Sequence, residues 1–238
     1  RRGEPPRQRY SLAAALVASD EAHTSYKGPP LRWVLLFGGK LSTDGSYAAG
    51  TTTTAGGAAG GLAELWALDL SSERWIFLGD GSSGGASLWP AGRSGHTFTP
   101  SPSGAAYLFG GRDGRSIYGD LWEYVPLGGW TRLVAGYGGS TDGRAPSPRS
   151  MHAAATVARS DGDGEDHLVI MGGIGSSSKK ATTFAEATAN GPSNPDTAEW
   201  NVEGDVLGDV WRLRLSAGEA QWVRLAPIVH VDRALPSS

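Results

Sequence analysis

The chain has 238 residues, 39% of them apolar and 19% charged, with a formal net charge of -3, which suits a globular protein of one large domain or two small ones. It holds no cysteine, so disulfides, thiolate metal sites and a cysteine nucleophile are excluded. The slight negative charge gives no global attraction to nucleic acid or anionic membrane, and no apolar run reaches the length of a membrane span.

Glycine (36 residues) and tryptophan (9 residues) are both frequent, which calls for many turns and for a packed core that takes in the indoles. The lack of cysteine fits a reducing compartment, so a cytoplasmic setting is expected; secretion without disulfides is the alternative. No Asn-x-Ser/Thr sequon is present.

In chain order, "PPRQRYSLAAALV" opens the first unit, with Arg7 and Tyr10 ahead of an Ala/Leu run too short for a signal peptide. "RWVLLFGG" follows and ends at Gly38-Gly39. A tract from Lys40 to Gly61, nearly all Gly, Ala and Thr, separates it from "ELWALDL" around Trp66 and "RWIFL" at Trp75. The second unit repeats the order: "AGRSGHTFTPS" with Arg93 and His96, "AAYLFGG" to Gly110-Gly111, "DLWEYVP" around Trp122, "GWTRL" at Trp130. The third reads "SPRSMHAAATV" with Arg149 and His152, "HLVIMGG" to Gly172-Gly173, "DVWRLRL" around Trp211, "QWVRL" at Trp222.

Each unit therefore predicts four short strands, divided by Gly, Ser and Asp turn signals. In the third strand an apolar residue stands two places after the tryptophan (Leu68, Tyr124, Leu213), with Glu123, Arg212 and Arg214 between or beyond, so one face is expected buried and the other wet. A double glycine that closes a strand allows a sharp bend and a close backbone approach. A four-stranded antiparallel sheet of this size cannot bury both faces alone, so it must stack on its copies, with indoles filling the wedges.

This fourfold order, repeated from about Pro6 to Pro227, resembles the kelch repeat, the blade unit of kelch-type β-propellers. The resemblance implies an all-β fold of three four-stranded antiparallel blades over residues 1–80, 81–136 and 137–227, with 228–238 a tail or the start of a further blade. Closed propellers hold about four to eight blades, so three units imply an incomplete or open propeller. A longer chain is expected to supply the rest; a second copy, or an arc that stays open, are the alternatives.

With strands labelled a to d, the long tracts 40–61 and 174–205 both fall between strands b and c and project from one face, shared with the d–a links and "RDGRSIYG". The first tract reads as tolerated low-complexity loop around Tyr47. The second carries Phe184, Trp200 and the pair Lys179-Lys180, aromatics that ordinarily pack on something.

Arginines at matching positions hold acidic peptide side chains in some kelch propellers. The resemblance thus makes Arg7, Arg93, Arg149, Lys40, Arg112 and Arg115 candidates for gripping a carboxylate on that face. For the recurring Arg7, Arg93 and Arg149 a structural role between blades competes with that one, so Arg112 and Arg115 are the better ligand candidates. His96 and His152, with Tyr10 aligned to them, read as packed hydrogen-bonding groups. Isolated His23, His167 and His230 form no metal set in sequence.

"DGDGED" (161–166) is no EF-hand, because Asp166 stands at the required glycine and Gly172 at the required glutamate. "GGRDGRS" lacks the Gly-Lys-Ser/Thr ending of a phosphate loop. The copper chemistry of some kelch enzymes needs a Tyr–Cys thioether, which this chain cannot make. The expected function is a non-catalytic protein- or peptide-binding module, or scaffold, without a cofactor. A propeller enzyme with its site over the central channel, or a packing subunit of an assembly, are the alternatives.

Overall fold

A computed structural model describes residues 3–19, 31–41, 61–82, 88–113, 116–134, 144–158, 166–175, 204–216 and 219–225. The described residues are all-β, with no helix. The first unit contributes β1 (Arg9–Tyr10), β2 (Ala13–Ser19), β3 (Leu31–Phe37), β4 (Lys40–Leu41), β5 (Leu65–Asp69) and β6 (Arg74–Gly79). The second contributes β7 (Thr97–Pro100), β8 (Ala106–Phe109), β9 (Leu121–Val125) and β10 (Gly129–Val134). The third contributes β11 (Arg149–Ser150), β12 (Ala153–Ala158), β13 (Asp166–Met171), β14 (Ile174–Gly175), β15 (Val210–Ser216) and β16 (Glu219–Leu225).

Three four-stranded antiparallel sheets result, each a simple meander: β2-β3-β5-β6, β7-β8-β9-β10 and β12-β13-β15-β16. The first strands of neighbouring sheets meet, with β7 against both β2 and β12. Beside these strands, the Gly95 N–H donates to the Ser11 carbonyl at 3.0 Å and the Met151 N–H to the Gly95 carbonyl at 2.7 Å. Ser11, Gly95 and Met151 all take a left-handed backbone, at φ 51°, 63° and 56°, so they are one structural position met three times.

Two apolar cores lie between the sheets. One joins Leu35, Phe37 and Leu65 of the first sheet to Phe98, Leu108 and Trp122 of the second. The other joins Tyr107, Phe109 and Leu121 of the second to Leu168, Ile170 and Trp211 of the third. Trp130 is the main wedge, with ring centroids 5.3 Å from Phe37, 5.7 Å from Phe98 and 5.0 Å from Tyr124. Trp222 repeats the contact on Phe109 at 5.6 Å.

This stacking changes one expectation. The alternation holds in the second and third sheets, where half-buried Glu123 lies between buried Trp122 and Tyr124, and half-buried Arg212 and exposed Arg214 flank buried Leu213. In β5, Leu65, Trp66 and Ala67 are all buried, because another sheet covers the face that alternation alone leaves to water.

The double glycines close β3, β8 and β13 with φ between +64° and +100°. A Cβ on Gly38 would lie 2.5 Å from the Arg93 carbonyl oxygen, and one on Gly110 2.5 Å from that of Arg149. Only glycine permits both the left-handed backbone and the approach of the next sheet.

Candidate functional site

The end of the sheets that carries the double glycines is the end at which each strand b runs out and strands a and c begin. It is held by one bonding pattern, used three times. Arg93 is 0% exposed. Its Nη1 donates to Asp120 Oδ1 at 2.6 Å and to the Gly110 carbonyl at 2.9 Å; its Nη2 donates to Asp120 Oδ2 at 2.9 Å. The Trp122 indole N–H donates to Asp120 Oδ2 at 2.7 Å. One guanidinium thus ties the entry of strand a to the ends of strands b and c, in the bidentate geometry that suits a planar fork. The Tyr118 ring lies against the same guanidinium, with its centroid 4.2 Å from Cζ.

Arg149, also 0% exposed, repeats this with Asp209 at 2.7 and 3.0 Å, the Gly172 carbonyl at 3.0 Å and the Trp211 indole, which donates to Asp209 Oδ2 at 2.6 Å. In the first unit the place belongs to Arg9, not to Arg7. Arg9 Nη2 donates to Glu64 Oε2 at 2.7 Å and Nη1 to the Gly38 carbonyl at 3.3 Å, while Trp66 donates to Glu64 Oε2 at 3.0 Å. Here a single carboxylate oxygen takes both donors.

The same shift of two residues moves the histidine equivalence from Tyr10 to Leu12, which stands one residue after the left-handed Ser11 as His96 follows Gly95 and His152 follows Met151. Alignment on Arg7 fails because "RQRY" offers two arginines and only the chain's entry to the sheet chooses between them.

Burial pushes the Glu64 and Asp209 carboxyls up. The arginine and indole hydrogen bonds and the arginine charge outweigh it, and both carboxyls sit below their ordinary range. These three arginines are therefore framework. Arg7 is exposed, and its carbonyl accepts from Arg9 Nε at 3.1 Å.

Lys40 and Arg112 occupy one equivalent place, half-buried at the rim: Lys40 pairs with Tyr10 in the β1–β4 register, and Arg112 bridges Ser94. The loop after Arg112 turns on Asp113, whose Oδ1 accepts the Ser116 N–H at 2.8 Å and whose Oδ2 accepts the Tyr118 hydroxyl at 2.6 Å. Arg115 lies outside the described residues, as do 42–60 and 176–203 of the two long tracts, with Tyr47, Phe184, Trp200, Lys179 and Lys180. His23, His230 and residues 161–165 also lie outside them.

His96 and His152 are buried at the two sheet junctions, edge-on to Phe37 and Phe109 with centroids 5.6 and 5.3 Å apart. The His152 Nε2 meets the Thr97 hydroxyl at 2.9 Å. Among the described residues no group of three or more His, Cys, Asp or Glu could hold a metal ion. No described helix is long and apolar enough to cross a membrane.

No family model matches the chain. Part of it is similar to known proteins. A stretch of 84 residues, 34% of the chain, is 36% identical to "Multiple epidermal growth factor-like domains protein 8" of Rattus norvegicus, with the same figures for the proteins of that name from Mus musculus and Homo sapiens. The match spans 3% of the length of these curated relatives.

The carboxylates of the framework, Glu64, Asp120 and Asp209, escape a reading that looks only for glycines and tryptophans. The signal was available: an acid stands two residues before the tryptophan in "ELWALDL", "DLWEYVP" and "DVWRLRL".

The junction histidines make a pH prediction. Burial, then the Arg93 and His152 charges, lowers His96 from 6.5 to about 3; burial, then the Arg149 charge, lowers His152 to about 3. Between those values only the unfolded chain takes up the proton. Stability is thus full above pH 6.5 and falls as the pH drops toward 3, by about 1.4 kcal/mol per pH unit per histidine. His96→Leu, the residue used at Leu12, should remove about half of that slope. Urea midpoints measured from pH 7 to 5 check this above the range where Glu64 titrates, and a slope equal to that of the parent chain would refute it.

Proposed function

We propose that the chain is an arc of a kelch-type β-propeller that binds a protein or peptide, without catalysis, through the face of b–c loops and d–a links. The observation that carries this reading is the division of cations on that face. Arg9, Arg93 and Arg149 are bound to carboxylates and carbonyls inside the sheets. Lys40 and Arg112, each opposite the residue that follows a framework arginine, are half-buried, and Arg7 is exposed. A rigid frame beneath a basic rim is the arrangement that grips an acidic side chain with little ordering cost.

The meander sheets, the contact of their first strands and the indole wedges support the propeller reading. The partial likeness to proteins named for epidermal growth factor-like domains, a class of secreted disulfide modules, supports an extracellular setting in place of the cytoplasmic one.

The test is selection of a random-peptide display library on the immobilised chain. Acidic peptides should be enriched, and the double variant Arg112→Glu/Lys40→Glu should bind them at least about tenfold more weakly, as the loss of a charge-assisted hydrogen bond implies. Its urea midpoint should match that of the parent chain. Enrichment without acidic residues, or equal binding by the variant, rejects this face.

A further inference from the structure

The b–c loop of the second unit has a feature that the frame does not need. Leu62, Tyr118 and Leu207 are equivalent by their backbone bonds: their N–H groups donate to the carbonyls of Gly39, Gly111 and Gly173, each at 2.8 Å. The Leu62 and Tyr118 carbonyls then accept the N–H of the next framework arginine, Arg93 at 3.2 Å and Arg149 at 3.0 Å. Leucine makes these bonds as well as tyrosine does, so the Tyr118 hydroxyl is surplus to building the unit.

That hydroxyl reaches into the loop. It donates to Asp113 Oδ2 at 2.6 Å. Asp113 Oδ1 accepts the Ser116 N–H at 2.8 Å, and the Asp113 N–H donates to the Ser116 carbonyl at 3.2 Å. In the other two units the place of Asp113 holds Leu41 and Gly175, each one residue past the equivalents of Arg112. The carboxylate and the phenol therefore occur together, in the same unit, and are bonded to each other.

Tyr118 can anchor the loop because its own position is set by the frame. It is 3% exposed, and its ring lies 4.2 Å from the Cζ of Arg93, which Asp120 holds from the other side. A line of contacts thus runs from the buried frame, through one phenol, to the residue next to Arg112. Arg112 is tied on its other flank, where its N–H and carbonyl exchange bonds with Ser94 at 2.9 Å. Its side chain stands half-buried between these two fixed points.

We infer that Tyr118 is a positioning residue of the partner-binding face: acting through Asp113, it fixes the loop that carries Arg112. The guanidinium then meets an acidic side chain without first having to be ordered, which is where a weak polar contact gains affinity. This rests on the proposed function, and adds the point on that face at which the partner's acid is received.

The test uses the 238-residue chain and a fluorescein-labelled acidic peptide from the display selection. Tyr118→Phe removes the hydroxyl alone. Tyr118→Leu installs the residue that the other two units use at this place, so folding is retained, as circular dichroism will show. In each variant the Asp113 and Ser116 amides should exchange hydrogen at least about fivefold faster, read by NMR. The peptide should bind about five- to tenfold more weakly, the effect of one lost hydrogen bond. In an Arg112→Gln background the same substitutions should change the affinity less than about twofold, because the phenol acts through Arg112. Losses that repeat in full in that background would make Tyr118 a structural residue and overturn the inference. Unchanged amide exchange does so too. Parental affinity in the Tyr118 variants, with weak binding by Arg112→Gln, overturns the inference and leaves the proposed function standing. A parent chain that selects no acidic peptide, or whose peptide binding survives Arg112→Glu/Lys40→Glu, rejects the proposed function and this inference with it.

Discussion

Asp120→Ala is expected to destabilise the chain by about 3–5 kcal/mol, because it leaves the Arg93 guanidinium buried without its counter-charge. The pair is the most enclosed of the three, with the Asp120 side chain 5% exposed against 14% for Asp209 and 19% for Glu64. Asp120 also takes the indole N–H of Trp122, so the same substitution leaves a second buried donor without an acceptor. The order of effect should follow enclosure: Asp120, then Asp209, then Glu64. Glu64 stands last because one of its oxygens takes both Arg9 and Trp66 while water reaches the carboxylate.

The double variant Arg93→Met/Asp120→Leu should recover much of the loss, because apolar groups of similar volume carry no desolvation penalty. Urea denaturation of the four proteins forms a double-mutant cycle. A single-variant loss under about 1 kcal/mol would mean that the pair is hydrated and that the frame rests on the backbone bonds alone.

Trp130→Ala should cost about 3–5 kcal/mol, the range for removal of a large aromatic from a core. The ring touches Phe37 of the first sheet as well as Phe98, Trp122 and Tyr124 of its own. Its removal opens a cavity across the first junction, where β2 and β7 meet. Trp75→Ala is the control. Trp75 has the same place in its sheet and is half-buried like Trp130, but no described sheet precedes it. Trp75→Ala should cost less than half as much. Equal losses would show that the indoles stabilise their own sheets and not the junctions.

The His96 pH profile belongs to the same account. His96 and Trp130 lie on the same Phe37 ring, one from strand a and one from strand d of the second sheet. Acid that charges the imidazole should therefore part the same two sheets that Trp130→Ala loosens.

The residue order alone determined the strands, their antiparallel pairing and the positions of the turns. Those follow from local rules: a period of two around each tryptophan, glycines where the backbone turns left-handed, and polar tracts between. Repetition also showed which residues are equivalent, wherever the unit's spelling was unambiguous. What the tertiary structure decided was the use of each charged residue. For Arg93 and Arg149 the sequence left a ligand role and a structural role both open. Arg93 and Arg149 enter at the foot of strand a and are enclosed by a carboxylate two residues before a distant tryptophan, whereas Arg112, one residue past the double glycine, stays at the rim. The shift from Arg7 to Arg9 has the same origin, since the partner carboxylate lies on β5's approach, 55 residues away. Burial is a property of the stacked sheets, and a strand cannot specify from its own residues whether its second face meets water or another sheet.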